Sequence, residues 1–185
     1  MATFGAVNNS TTLTRAIQLN VGDFGVDVIA PPPTRQATPG SSTPTARALL
    51  FDATNETARF SFIRPIDWDT SNAGLTVVLN GVLNVAESNN DTWDMTMDYV
   101  ATQTGSGNGP AKTSTQITAS TTVTTANGLA AGDLYQLTFT LSAGDATNPL
   151  NSSTRQVIME IHLTNTTGVG AINIIGGRIN YTALY

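Results

Sequence analysis

The chain has no cysteine and one lysine, Lys112, among its 185 residues. Without cysteine there are no disulfides and no thiolate metal sites. Charged side chains make up only 11% of the sequence, about half the usual share. Net charge is -5, and no cluster of Lys and Arg could follow a phosphate backbone, so nucleic acid is disfavoured as a partner. Attraction to an anionic membrane surface is disfavoured for the same reason. No apolar run approaches the ~18 residues of a membrane-spanning helix. The opening Met-Ala-Thr-Phe-Gly has neither a basic n-region nor an apolar h-region, so no signal peptide is expected. A convincing helical stretch is also missing. The nearest candidate, residues 126–133, contains Gly128 and Gly132 and reads as a turn.

What fills the sequence is Thr, Ser and Asn around a 40% hydrophobic fraction. Thr favours strands, while Asn and Gly favour turns. From about Arg47 onward, apolar residues alternate with polar ones at the period of a half-buried strand. The segment Thr57 to Arg64 sets Ala58, Phe60 and Phe62 against Arg59 and Ser61, and Pro65 ends its pairing. Further strands are expected at Arg47–Asp52, Leu75–Val85, Thr92–Val100, Gln116–Thr125, Leu134–Leu141, Arg155–Thr164 and Ala171–Tyr181. Within the third, Asn80-Gly81 is a strong hairpin signal, so a tight hairpin is the alternative to one long strand. In the last, the apolar phase slips across Gly176-Gly177, as at a β-bulge. Eight antiparallel strands predict two packed sheets. Eight is the jelly-roll count, with an immunoglobulin-like sandwich as runner-up.

Residues 1–44 look different, and the sandwich is placed at 45–185. Pro31, Pro32 and Pro33 impose an extended segment. Phe4, Ile17, Leu19, Phe24, Val28 and Ile29 are too apolar for a flexible tail. The expectation is an N-terminal arm that orders against a neighbouring subunit, with a reach on the order of 100 Å.

Little in the chain points to catalysis. His162 is the only histidine and lies on the polar phase of its strand beside Glu160. It reads as a surface or interface residue in preference to a base or metal ligand, and no second histidine exists to build a zinc site. Asp67, Asp69, Asp91, Asp94 and Asp98 read as solvated carboxylates rather than a glycosidase pair or a calcium loop. The glycine-rich run 105–109 lacks the Lys-Ser/Thr ending of a phosphate loop. No catalytic, cofactor or metal residue is assigned. Trp68, in the loop after Pro65, reads as an interface plug, with a sugar-stacking platform as the alternative. Trp93 reads as core.

Two segments carry a resemblance. Ala58-Arg-Phe-Ser-Phe-Ile-Arg-Pro-Ile-Asp-Trp68 and Asn127-Gly-Leu-Ala-Ala-Gly-Asp-Leu134 resemble paired motifs in β-sandwich proteins encoded among virion genes of tailed bacteriophages. That resemblance implies a virion protein, either a head cement or decoration subunit or a tail or fibre component. Together with the apolar arm, the charge-poor exterior and the missing catalytic constellation, it sets the expectation of a structural, non-enzymatic subunit on the outer capsid surface, a homotrimer bridging neighbouring copies of a major capsid protein. The alternative is a tail, fibre or host-glycan-binding module with Trp68 and Asp67 as contacts.

Overall fold

In the computed structural model, residues 13–26, 32, 34–37, 39, 45–71, 74–83, 91–103, 115–123, 130–142, 150–167 and 172–184 are described. They form eleven strands: β1 (Leu13–Asn20), β2 (Gly25–Val26), β3 (Thr34–Ala37), β4 (Ala46–Phe51), β5 (Thr57–Ile63), β6 (Leu75–Leu83), β7 (Asp91–Gln103), β8 (Thr115–Val123), β9 (Leu134–Leu141), β10 (Thr154–Thr167) and β11 (Ile172–Ala183). A single 3-10 turn at Val21–Asp23 follows β1. The eight strands expected from alternation are β4 to β11. Four of them run in the order β4-β11-β6-β9, and the other four in the order β5-β10-β7-β8. All their pairings are antiparallel. Successive strands alternate between the two sheets except for β7 and β8, which pair with each other in one sheet, and this order is the jelly roll.

Three stretches of the N-terminal segment that are described, 13–20, 25–26 and 34–37, are extended and pair within the body of the molecule. β1 pairs with β11 from Leu13↔Ala183 to Asn20↔Gly176. β2 pairs with β5, and β3 pairs with β4. The boundary expected at residue 44 is thereby corrected, because this stretch adds strands to both sheets of its own sandwich. The physical reason is that its apolar residues find an open edge close at hand. Leu19, Val21 and Phe24 are buried in the main core, and the rings of Phe24 and Phe60 meet edge-on at 5.1 Å.

The core lies between the sheets. From β5, β7 and β10 it takes Ala58, Phe60, Phe62, Met95, Met97, Tyr99, Val157, Met159, Ile161 and Leu163. The facing sheet supplies Leu49, Phe51, Leu75, Val77, Leu79, Leu137, Phe139 and Ile179. These are the inward phases of the alternating segments. The side chain of Trp93 lies outside the described residues. The expected bulge is present: the β11–β6 register shifts between Ile174 and Gly176. Gly176 has φ +137°, a conformation open to glycine.

Asn80-Gly81 is not a turn. β6 runs straight through it, and Asn80 and Gly81 pair with Gln136 and Tyr135 of β9. The glycine is there because the Tyr135 ring crosses it, and a Cβ would run into the ring. The reading of residues 126–133 as a turn is matched where it is described: Ala130 N–H donates to Asp133 Oδ2 at 2.7 Å, and Gly132 has φ +92°.

Candidate functional site

The loop after β5 is closed. Pro65 accepts a turn bond from Trp68 N–H at 3.3 Å. The loop is then stitched to β11. Leu184 N–H donates to the Asp67 carbonyl at 2.8 Å, and Asp69 N–H donates to the Thr182 carbonyl at 2.8 Å. Trp68 makes a β-bridge to Ala183. Its side chain is 3% exposed and packs in the main core. It is therefore neither an interface plug nor a sugar platform.

Both flanking carboxylates are engaged as well. Asp67 pairs with Arg15 at 2.8 Å and accepts from the Tyr181 hydroxyl at 3.1 Å. Burial, reinforced by that bond to Asp67, holds the Tyr181 hydroxyl above its ordinary range. Asp69 is buried and accepts from both the backbone and the hydroxyl of Ser71, at 2.9 and 2.6 Å. The expectation that these were solvated acids is corrected, because the loop folds down onto β11 and takes them with it. Among the other residues assigned to an interface, Ile17 packs against the core, and Leu19 and Phe24 are buried in it. Phe4, Val28 and Ile29 lie outside the described residues.

A better candidate lies on the outer face of β5, β10 and β7. Antiparallel register arranges the outward side chains in rows across the three strands. Ile158 sits between Ser61 and Val100, Glu160 between Arg59 and Asp98, and His162 between Thr57 and Thr96. Gln156 of β10 lies one row further on and donates to Ser61 Oγ at 3.1 Å. A groove of about 220 Å³ is lined by Arg59, Asp98, Val100, Ile158 and Glu160. A second, of about 250 Å³, shares Arg59 and Ile158 and continues past Ser61 toward Asp23 and Gly25 of the N-terminal segment.

The charged row is tightly linked. Arg59 Nε donates to Glu160 Oε2. His162 Nε2 lies 3.6 Å from Asp98 Oδ2, and its Nδ1 lies 3.8 Å from Glu160 Oε1. All these groups stay partly open to solvent, at 18% for His162, 21% for Asp98 and 30% for Glu160. Burial pushes the Asp98 carboxyl above its ordinary range. Glu160 adds to that rise and His162 opposes it.

Alternation places Arg59, Asp98, Glu160 and His162 on outward phases. What periodicity does not contain is the register that puts them side by side, since they come from strands up to a hundred residues apart.

No family model matches the chain, and no curated protein matches it in sequence. Solved structures similar to it include the xylan-binding module CBM15, at 12% identity and TM-score 0.46, covering 91% of this chain and 97% of that one. Another is a family 35 carbohydrate-binding module from Clostridium thermocellum, at 9% identity and TM-score 0.45, covering 89% and 97%. A third is the CBM22-1 xylan-binding domain from Paenibacillus barcinonensis, at 13% identity and TM-score 0.44, covering 89% and 87%.

The capsid-cement expectation is corrected at this point, because its bridging mechanism loses its parts: Leu19, Phe24 and Trp68 are buried in the subunit's own sandwich and Ile17 packs against that core.

Proposed function

We propose that the protein is a non-catalytic saccharide-binding module that takes its ligand across the outer face of β5, β10 and β7. The observation that carries this is the order of the rows. The apolar pair Ile158 and Val100, in one row with Ser61, lies between the charged row of Arg59, Glu160 and Asp98 and the neutral side chain of Gln156. A sugar ring presents C–H groups on its faces and hydroxyls around its rim. The Ile158–Val100 row suits the first. Arg59, Glu160 and Asp98 on one side, Gln156 on the other and Ser61 at the end of the row itself suit the second. The strands are rigid, so these groups are held in place before a ligand arrives. Trp68 and Asp67, the contacts expected from the sequence, take no part.

The test is titration calorimetry, in EDTA-containing buffer, against xylan, glucan, mannan and starch-type oligosaccharides. Wild type is compared with Arg59→Ala, Glu160→Gln and Val100→Thr. Binding to at least one class, weakened in all three variants while circular dichroism stays unchanged, is the expected outcome. Binding to none of the classes, or equal binding by all variants, would overturn the reading. Release of reducing ends from a bound oligosaccharide would show an enzyme instead.

A further inference from the structure

We propose that Asp98, Glu160 and His162 form a binding site for a divalent transition-metal ion of the zinc class. The site lies at the edge of the groove, and the proposal stands whether or not a saccharide binds there. One ligand atom from each residue, two carboxylate oxygens and an imidazole nitrogen, can be chosen so that all lie within 4.8 Å of one another. The placement comes from the sheet. Glu160 is directly opposite Asp98 across the β10–β7 ladder, and His162 is the next outward residue along β10. All three therefore project from adjacent points of one rigid surface.

The spacing suits a small ion. Ligands at ~2.0–2.2 Å from a tetrahedral zinc stand roughly 3.3–3.6 Å from each other. His162 Nε2 and Asp98 Oδ2 are already 3.6 Å apart, and Glu160 Oε1 lies 3.8 Å from the ring's other nitrogen, Nδ1, so a turn of the imidazole is what brings one of its nitrogens and both carboxylates onto one ion. The donor set points the same way. Imidazole is a good ligand for zinc, copper or nickel, whereas calcium takes about six to eight oxygens. Three protein ligands on a partly open face leave coordination positions for water, as in open zinc sites.

Arg59 supplies an outer contact. It holds Glu160 by Oε2, which leaves Oε1 on the side of the imidazole. Outer partners of this kind fix the orientation of a ligating carboxylate. The guanidinium also sets a limit on affinity, since it offsets one of the two negative charges. Two carboxylates against one guanidinium still leave the cluster net negative when His162 is neutral.

The bland alternative is a surface charge cluster in which His162 only lies within ion-pair distance of two acids. The two readings differ in a measurement that the sequence makes simple. His162 is the only histidine in the chain, so the imidazole NMR signals of untagged full-length protein report this site alone. Zinc chloride is titrated into EDTA-stripped protein at neutral pH, with calcium chloride in parallel. The expected result is a 1:1 shift of the His162 imidazole resonances with zinc and none with calcium. Calorimetry should give a zinc affinity that falls at least about tenfold in Asp98→Asn and in His162→Gln. Thermal melts establish that both variants are folded. Should one fail to fold, the other, together with the wild-type imidazole shifts, decides the matter. No imidazole shift with excess zinc, or undiminished affinity in the folded variants, would overturn the proposal. Saccharide binding is measured separately in EDTA, so loss of one site does not count against the other.

Discussion

The phenol ring of Tyr135 crosses β6 at Gly81, the one place on that strand where no side chain stands in its way. Tyr135 is partly buried against the core. Next to it, Gln136 Nε2 donates to Asn80 Oδ1 at 3.0 Å. A dipeptide whose composition signals a turn is here a slot for a ring, flanked by a cross-strand amide pair.

Replacing Gly81 by Ala should therefore destabilise the fold by about 1–3 kcal/mol, the usual range for overpacking. Tyr135→Ala alone should cost a comparable amount through lost burial. In the double variant the added methyl meets no ring, so the two costs should not add. Urea unfolding of the four proteins gives the coupling energy directly. Strict additivity would mean that the ring and the glycine do not constrain one another.

Gly177 is a harder case, because its neighbour is backbone. A Cβ there would strike the Val78 carbonyl on the adjacent strand. A strand in the middle of a sheet cannot move aside, so Gly177→Ala should cost more than Gly81→Ala, on the order of 3 kcal/mol or greater. The control is Gly22→Ala, where a Cβ would meet nothing within 4 Å. Soluble yield and melting temperature should fall for the first and hold for the second.

Trp68 is a core residue with an oddity. Its Nε1 is buried with no hydrogen-bond partner among the described residues. Trp68→Phe removes that orphaned donor while keeping an aromatic ring, so the loss should be much smaller than the ~3–5 kcal/mol expected for Trp68→Ala. Saccharide affinity of the folded Phe variant should match wild type. A selective loss of affinity without loss of stability would return Trp68 to the binding surface.

Glu56 gives a pH signature. It is 8% exposed and accepts from the Asp52 and Ala53 backbone N–H groups at 2.7 and 3.0 Å. Burial outweighs those bonds and raises its pKa above the ordinary 4.5. A carboxyl raised in the folded state favours folding when protonated. Its contribution is complete below the unfolded value and is lost as pH rises through the folded one. Glu56→Gln can still accept from both N–H groups but carries no charge. Relative to wild type, its stability should improve between pH 4 and pH 7. Glu56→Ala leaves both donors unpaired and should cost about 1–3 kcal/mol at either pH. Urea midpoints at the two pH values check the sign.

The sequence by itself determined the sandwich. Alternation along β4 to β11 decides which side of each strand is apolar, and a surface with one apolar side must be covered by another. The core members Phe60, Met97, Leu137 and Ile161, the end of β5 before Pro65 and the slip at Gly176-Gly177 all follow from a period of two. That same rule put Arg59, Asp98, Glu160 and His162 outward one strand at a time.

Only the tertiary structure decided what lies beside what. Whether Ile17, Leu19 and Phe24 served a neighbour or their own chain depended on a free edge at β11 and β5, which no local pattern encodes. Trp68 and Asp69 looked exposed because they sit in a loop, and β11, more than a hundred residues later, draws that loop into the core. The row of Arg59, Glu160 and Asp98 exists because β10 happens to lie between β5 and β7. Periodicity is a property of one strand, whereas register and strand order depend on contacts between distant segments. The candidate site is built entirely from the latter.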